Sequence, residues 1–108
     1  MLIALDGSAK TTDPKKYAAE YFNYYVAQAY RATKENNSIY VQGPGAISTS
    51  LNSNNIRKMA DKATAFIRSN SGDNRVYLIG WSRGAAACIQ VAWDIKRSNT
   101  TSKISGLL

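Results

Sequence analysis

The most constraining feature of this sequence is the segment Gly80-Trp81-Ser82-Arg83-Gly84, which follows a dense apolar run and precedes an alanine-rich stretch. The run at residues 76–79 predicts a buried strand, and the residues that follow the segment predict a helix. A serine between two such elements takes a strained backbone conformation that lifts its hydroxyl clear of the sheet. Because the chain then passes close to itself, the second residue on either side must be small, and Gly80 and Gly84 meet that requirement.

Two further strands are predicted nearer the start of the chain. Residues 1–5 form a continuous apolar run, typical of a buried parallel strand, and residues 38–42 form another. Glycine-containing turns end both runs, Asp6-Gly7-Ser8 after the first and Gly43-Pro44-Gly45 after the second. Asp6 is interpreted as a turn-forming residue, and the alternative is a carboxylate that faces the site.

Three helices are predicted from caps and from apolar side chains at helical spacing. The first starts at Asp13-Pro14 and runs to about residue 33, the second is capped by Asn54 or Asn55, and the third follows Gly84. Their apolar positions are Ala18, Phe22, Tyr25 and Ala29 in the first, Ile56, Met59, Ala60, Ala63, Phe66 and Ile67 in the second, and Ala85, Ala86, Ile89, Ala92 and Trp93 in the third.

Strands that alternate with helices predict an α/β fold, here a three-layer sandwich with a small parallel sheet. A chain of 108 residues is expected to form a single domain over residues 1–108. No metal and no cofactor are predicted, because no cluster of His, Cys or carboxylate residues has ligand spacing.

Composition limits the partners and the compartment. The net charge of +7 is spread along the chain in runs no longer than two, so solvated helix faces are favoured over a nucleic-acid binder. No apolar run approaches the roughly 20 residues of a transmembrane helix. The single cysteine, Cys88, is interpreted as a small buried side chain, and the absence of disulfides and of a signal peptide favours a cytoplasmic location, with signal-free secretion left open.

Three motifs in order resemble one family, the α/β-hydrolase domain of the bacterial type VI secretion phospholipase effectors. The family's first strand ends in Asp-Gly-Thr, a later strand ends in a Gly-Val-Gly-like turn, and its elbow is Gly-Phe-Ser-Arg-Gly-Ala. The counterparts here are Asp6-Gly7-Ser8, Gln42-Gly43-Pro44-Gly45 and Gly80-Trp81-Ser82-Arg83-Gly84-Ala85. The departures are Ser8 for Thr, Pro44 for a β-branched residue and Trp81 for Phe.

The resemblance covers nearly the whole chain but only the first part of the family's domain. It implies that the first strand lies between the other two, in spatial order 2-1-3, so that the turn after the first strand meets the elbow in a crevice. It implies that Ser82 is the nucleophile and that the backbone N–H groups of Arg83 and of Gly7, or of the neighbouring Ser8, hold the oxyanion. The implied substrate is an ester, of which a lipid is one form.

The chain contains no histidine, so these residues alone cannot complete a Ser-His-Asp triad. One hypothesis is therefore a remnant or fragment with little activity alone, whose fold serves binding or assembly. The alternative is the N-terminal part of an active serine ester hydrolase. The first is slightly favoured, since the sequence begins with Met and ends soon after the predicted third helix.

A homodimer is predicted through one of two surfaces. In a three-stranded sheet the third strand would be an apolar edge with unpaired backbone groups, which favours pairing with another chain. The alternative is that residues 98–108 fold back over that edge. The second surface is the first helix, whose aromatic residues are interpreted as core plus a contact surface rather than a stacking platform: Tyr17, Tyr21, Phe22, Tyr24, Tyr25 and Tyr30.

Overall fold

The computed structural model describes residues 1–9, 11, 13–44, 53–70, 72–73, 75–97 and 103–107. Its strands and helices alternate for most of the chain, in the order β1 Leu2–Leu5, α1 Pro14–Tyr21, α2 Tyr25–Ala32, β2 Ser38–Val41, α3 Ser53–Ser69, β3 Arg75–Gly80, α4 Arg83–Arg97 and β4 Lys103–Leu107. None of the helices among these residues is both long enough and apolar enough to cross a membrane.

All four strands lie parallel in one sheet, in the order β2-β1-β3-β4. β1 is central, with Leu2 opposite Ser38 on one side and opposite Tyr77 on the other. The α/β class, the parallel sheet and the order 2-1-3 are therefore confirmed, with one strand added. Successive residues of β1 face opposite layers, since Ile3 packs in the cluster with α3 and α4 while Ala4 packs against α2.

The fourth strand corrects the prediction of an exposed edge on the third. β3 pairs with β1 on one side and with β4 on the other, with Arg75 opposite Lys103 and Val76 opposite Ile104. β3 thus has a hydrogen-bonded neighbour on each side within the chain, and Ile104 packs against the large apolar core. The exposed edge on which the predicted third-strand dimer depended is therefore absent from the described residues, and the alternative that the tail covers this edge is confirmed for residues 103–107.

The predicted first helix is two helices, and its predicted apolar face is wrong. α1 ends at Tyr21 and α2 begins at Tyr25, with the extended residue Tyr24 between them as the N-cap of α2. Phe22 and Tyr25 are about half exposed, at 54% and 47%, whereas Tyr17 and Tyr21 are buried. Hydropathy misjudged these tyrosines because their hydroxyls find hydrogen-bond partners inside the fold.

The other two helices follow the sequence pattern to different degrees. α3 begins at Ser53, ahead of the predicted caps Asn54 and Asn55, but its predicted stripe is buried or half-buried. α4 turns a different face inward, because Ile89 and Trp93 are exposed. The residues that α4 buries are Gly84, Ala87, Cys88, Val91 and Ile95, and so Cys88 lies in the core as predicted.

Candidate active site

Ser82 lies at a sharp turn between β3 and α4, in the backbone geometry that the sequence predicts. Its φ is 56°, and no other non-glycine residue of the described chain has a positive φ. The left-handed region is unfavourable for residues with a Cβ, so the surrounding structure must impose it. The side chain is exposed, and the helix begins at the next residue, Arg83. The predictions of a strained backbone and an accessible hydroxyl are confirmed.

The two glycines of the turn allow backbone contacts that a side chain would prevent. A Cβ at Gly80 would lie 2.6 Å from the Gly84 carbonyl oxygen, and a Cβ at Gly84 would lie 1.9 Å from the Leu5 carbonyl oxygen. The Trp81 N–H also donates to the Leu5 carbonyl at 3.2 Å. The turn is therefore packed directly on the carboxyl end of β1.

The loop after β1 lies against Ser82, as the predicted crevice requires. A Cβ at Gly7 would lie 3.1 Å from the Ser82 Cβ and 3.0 Å from the Trp81 carbonyl oxygen. Gly43 packs on the other side of this loop, because its Cβ would lie 2.2 Å from the Gly7 carbonyl oxygen. The three glycine-containing turns of the sequence, represented by Gly7, Gly43 and Gly84, thus converge at the carboxyl ends of three neighbouring strands.

Two tyrosines of α1 hold this loop through their hydroxyls. Tyr17 donates to the Gly7 carbonyl and accepts from the Gly43 N–H at 2.7 Å, while Tyr21 donates to the Ser8 carbonyl. Burial raises the pKa of the Tyr17 hydroxyl well above its usual 10 and that of Tyr21 to about 12, so both stay protonated donors at neutral pH. Sequence reasoning missed this role, for which the available signal was their spacing of four residues on one helix.

Asp6 is fully buried at the same place. Its carboxylate accepts the Tyr40 hydroxyl at 2.7 Å and the Gly7 N–H at 3.2 Å. Burial raises the pKa of Asp6, and these two hydrogen bonds partly oppose the shift. The bond to the Gly7 N–H ties Asp6 to the turn after β1, and Asp6 also lies in the lining of a cavity beside Ser82.

The structure distinguishes among the predicted oxyanion donors. The Gly7 N–H already donates to Asp6, so an oxyanion would compete with a carboxylate for it. The N–H groups of Arg83 and Ser8 have no acceptor among the described residues. Arg83 is also the first residue of α4, where unpaired N–H groups and the helix dipole favour negative charge beside Ser82.

A cavity of about 620 Å³ opens beside the turn. Trp81, which directly precedes Ser82, is part of the cavity lining. The Tyr25 hydroxyl, also in the lining, donates to the Gly80 carbonyl at 2.8 Å. The rings of Tyr25 and Trp81 meet edge to face with centroids 6.1 Å apart. The described residues that line the cavity are Asp6, Glu20, Tyr21, Asn23, Tyr24, Tyr25, Val26 and Trp81.

Ser82 has no histidine beside it, since the chain contains none. Within the described ranges, no three His, Cys, Asp or Glu residues are grouped so that they could hold a metal ion. Comparison with protein-family models, with curated proteins and with solved structures gives no significant match to this chain. The functional argument therefore rests on the residues and geometry of the site.

Proposed function

We propose that this chain is an α/β-hydrolase-like domain that carries the nucleophile of a serine ester hydrolase and has little activity alone. The observation that carries the proposal is the positive φ of exposed Ser82, held between Gly80 and Gly84 at the junction of a parallel strand and a helix. Strain at a single exposed serine is the geometry that nucleophilic attack from a strand–helix turn requires.

In the proposed reaction the Ser82 oxygen attacks the ester carbonyl carbon. The oxyanion that forms is held by the Arg83 N–H, with the Ser8 or Gly7 N–H as the second donor. When the carbonyl re-forms, the bond to the alcohol breaks, and an acyl-serine remains until water hydrolyses it. A base must take the serine proton and deliver it to the departing alcohol.

The missing participant is that base. No histidine is available in these 108 residues, and the carboxylate nearest to the site, Asp6, is already bound by Tyr40 and Gly7. Oxyanion stabilisation alone sustains only residual catalysis in a serine hydrolase whose base has been removed. We therefore expect weak turnover of short and long acyl esters, unless a further polypeptide segment supplies the base.

A fluorophosphonate probe, applied with added imidazole to supply the missing base, tests the nucleophile directly. We expect labelling of the wild type at Ser82 and its loss in Ser82→Ala. Ser69→Ala is the matched control, because Ser69 is an exposed serine whose hydroxyl only donates to the Ala65 carbonyl. Absence of labelling in the wild type, or labelling that survives Ser82→Ala, would refute the proposed nucleophile.

Added imidazole tests the missing base. Hydrolysis of a short-chain aryl ester is measured with increasing imidazole for the wild type and Ser82→Ala, which reports the background of the buffer. The difference between the two proteins should be near zero without imidazole and should grow with its concentration. A large difference without imidazole would contradict the prediction of weak activity and would require another base.

A second candidate function is binding or assembly without catalysis. It is favoured by the Gly7 N–H, which donates to Asp6 rather than being held open for an oxyanion. In that case Ser82 is a structural remnant, and neither probe labelling nor imidazole-dependent turnover should distinguish the wild type from Ser82→Ala.

A further inference from the structure

The cavity beside the turn differs in charge from the rest of the molecule. The chain has 14 Lys and Arg residues against 7 Asp and Glu. Among the described residues that line this cavity there are the exposed carboxylate of Glu20, the fully buried carboxylate of Asp6 and no Lys or Arg. Both carboxylates help to raise the pKa of the Tyr21 hydroxyl, which places all three groups within electrostatic reach of one another. A basic protein thus has a locally acidic cavity.

Aromatic residues form most of the rest of the cavity lining. Tyr24, Tyr25 and Trp81 are 51%, 47% and 50% exposed and lie together in this lining, and a contiguous exposed apolar patch is typical of an interaction site. The rings of Tyr21 and Tyr24 meet edge to face with centroids 5.1 Å apart, and those of Tyr25 and Trp81 make a second such pair. The exposed rings of Tyr24, Tyr25 and Trp81 and the buried ring of Tyr21 therefore line one space.

We propose that this cavity binds a quaternary ammonium group of the choline type, carried by the ester on which Ser82 acts. Aromatic faces attract organic cations, and nearby carboxylates add to that attraction. The site is coupled to the nucleophile by position, since Trp81 precedes Ser82 and Tyr25 is hydrogen-bonded to Gly80. The proposal that the cavity binds this cation depends on the cavity alone. The proposal that the cation is part of a substrate ester rests on the proposed function.

Other ligand groups fit the cavity less well. An acyl chain would gain from the rings, but it would leave the exposed carboxylate of Glu20 beside an apolar group. A phosphate or carboxylate ligand would be repelled by that carboxylate and would find no cation among the described lining residues. A methylated ammonium group satisfies both the rings and the charge.

Titration calorimetry with choline tests the binding site. The control ligand is 3,3-dimethyl-1-butanol, which has the same shape without the charge. We expect binding of choline at least tenfold tighter than that of the alcohol. Glu20→Gln and Tyr24→Leu should each weaken choline binding roughly threefold to tenfold. Asp61→Asn and Trp93→Leu are matched controls, since they remove an exposed carboxylate and an exposed ring outside the cavity.

Equal binding of choline and the alcohol, or equal loss in the control and cavity variants, would overturn the cation site. The substrate assignment is tested separately by choline protection of Ser82 from the fluorophosphonate probe. Binding without probe labelling would retain the cation site and reject the proposed nucleophile. Labelling without choline binding would retain the proposed nucleophile and reject the cation site. Protection by butyrylcholine but not by short-chain phosphatidylcholine would indicate a soluble ester, and the opposite result would indicate a lipid.

Discussion

The two faces of the sheet are built by different means. The face covered by α3 and α4 is a continuous apolar core, whose largest fully buried side chains include Ile3, Ile67, Leu78 and Val91. Among the described residues, the face covered by α1 and α2 has two small apolar clusters, one of Ala4, Val26 and Ile79 and one of Ala9, Tyr17 and Tyr21. On this second face the tyrosine hydroxyls donate to the loop after β1.

This difference separates stability from site geometry. Apolar burial is non-directional, so the α3 and α4 face can stabilise the fold without fixing the position of any one loop. Hydrogen bonds are directional, and those of Tyr17, Tyr21 and Tyr40 hold the loop that lies against Ser82. We expect substitutions on the first face to lower stability most, and substitutions on the second to change the site as well.

The largest expected effect is at Gly84, where the turn packs on the carboxyl end of β1. Gly84→Ala places a Cβ 1.9 Å from the Leu5 carbonyl oxygen, so the turn must move off β1. We expect the free energy of unfolding to fall by more than about 4 kcal/mol, or the protein not to fold. Denaturant unfolding measures this. Gly72→Ala is the control, since its Cβ would meet nothing within 4 Å, and a similar loss there would contradict the explanation.

A matched pair of valines compares the two faces directly. Val91 on α4 and Val26 on α2 are both fully buried. Truncation to alanine should lower the free energy of unfolding by about 2–3 kcal/mol for Val91 and about 1–2 kcal/mol for Val26. The loss is larger for Val91 because truncation within the larger cluster leaves a cavity that the surrounding side chains fill less completely. Chemical denaturation of both variants checks the order, and equal losses would show that the faces contribute equally to stability.

Tyr17→Phe tests the hydrogen-bonded face. It removes the partner of the Gly7 carbonyl and of the Gly43 N–H, and we expect a loss of about 1–3 kcal/mol in the free energy of unfolding. Fluorophosphonate labelling of Ser82 should also slow, since Gly7 packs on Ser82. Tyr30→Phe is the control, because its hydroxyl has no hydrogen bond within the described residues and should change stability by less than about 0.5 kcal/mol. Slower labelling in both variants would argue against the specific role of Tyr17.

The smallest expected effect is a pH dependence of opposite sign on the two faces. Burial raises the pKa of Asp6 above its usual 3.8, so its contribution to stability is complete below that value and is lost as the pH rises through the folded-state pKa. The Arg57 guanidinium lowers the pKa of Asp94, so that contribution is present above 3.8 and is lost as the pH falls.

Unfolding of Asp6→Asn and Asp94→Asn between pH 3 and 7 measures both trends. Relative to the wild type, Asp6→Asn should gain stability as the pH rises, and Asp94→Asn should lose it. Parallel trends in the two variants would show that the local environments of these carboxylates do not control their contributions.

The sequence by itself determined the alternation of strands and helices, the glycine-bounded turn at Ser82 and the absence of a histidine base. These features are local, since apolar period, caps and small residues act over a few positions. It also predicted that the loop at Gly7 would meet Ser82, through the strand order that the resemblance implied.

Only the tertiary structure decided how that loop is held and which strands are edges. β4 is a short, weakly patterned segment, and its pairing with β3 depends on backbone groups that any sequence carries. The inward orientation of Tyr17 and Tyr21 depends on acceptors more than eight residues away. A hydroxyl counts as polar in the sequence, and its burial becomes favourable only once the fold brings an acceptor to it.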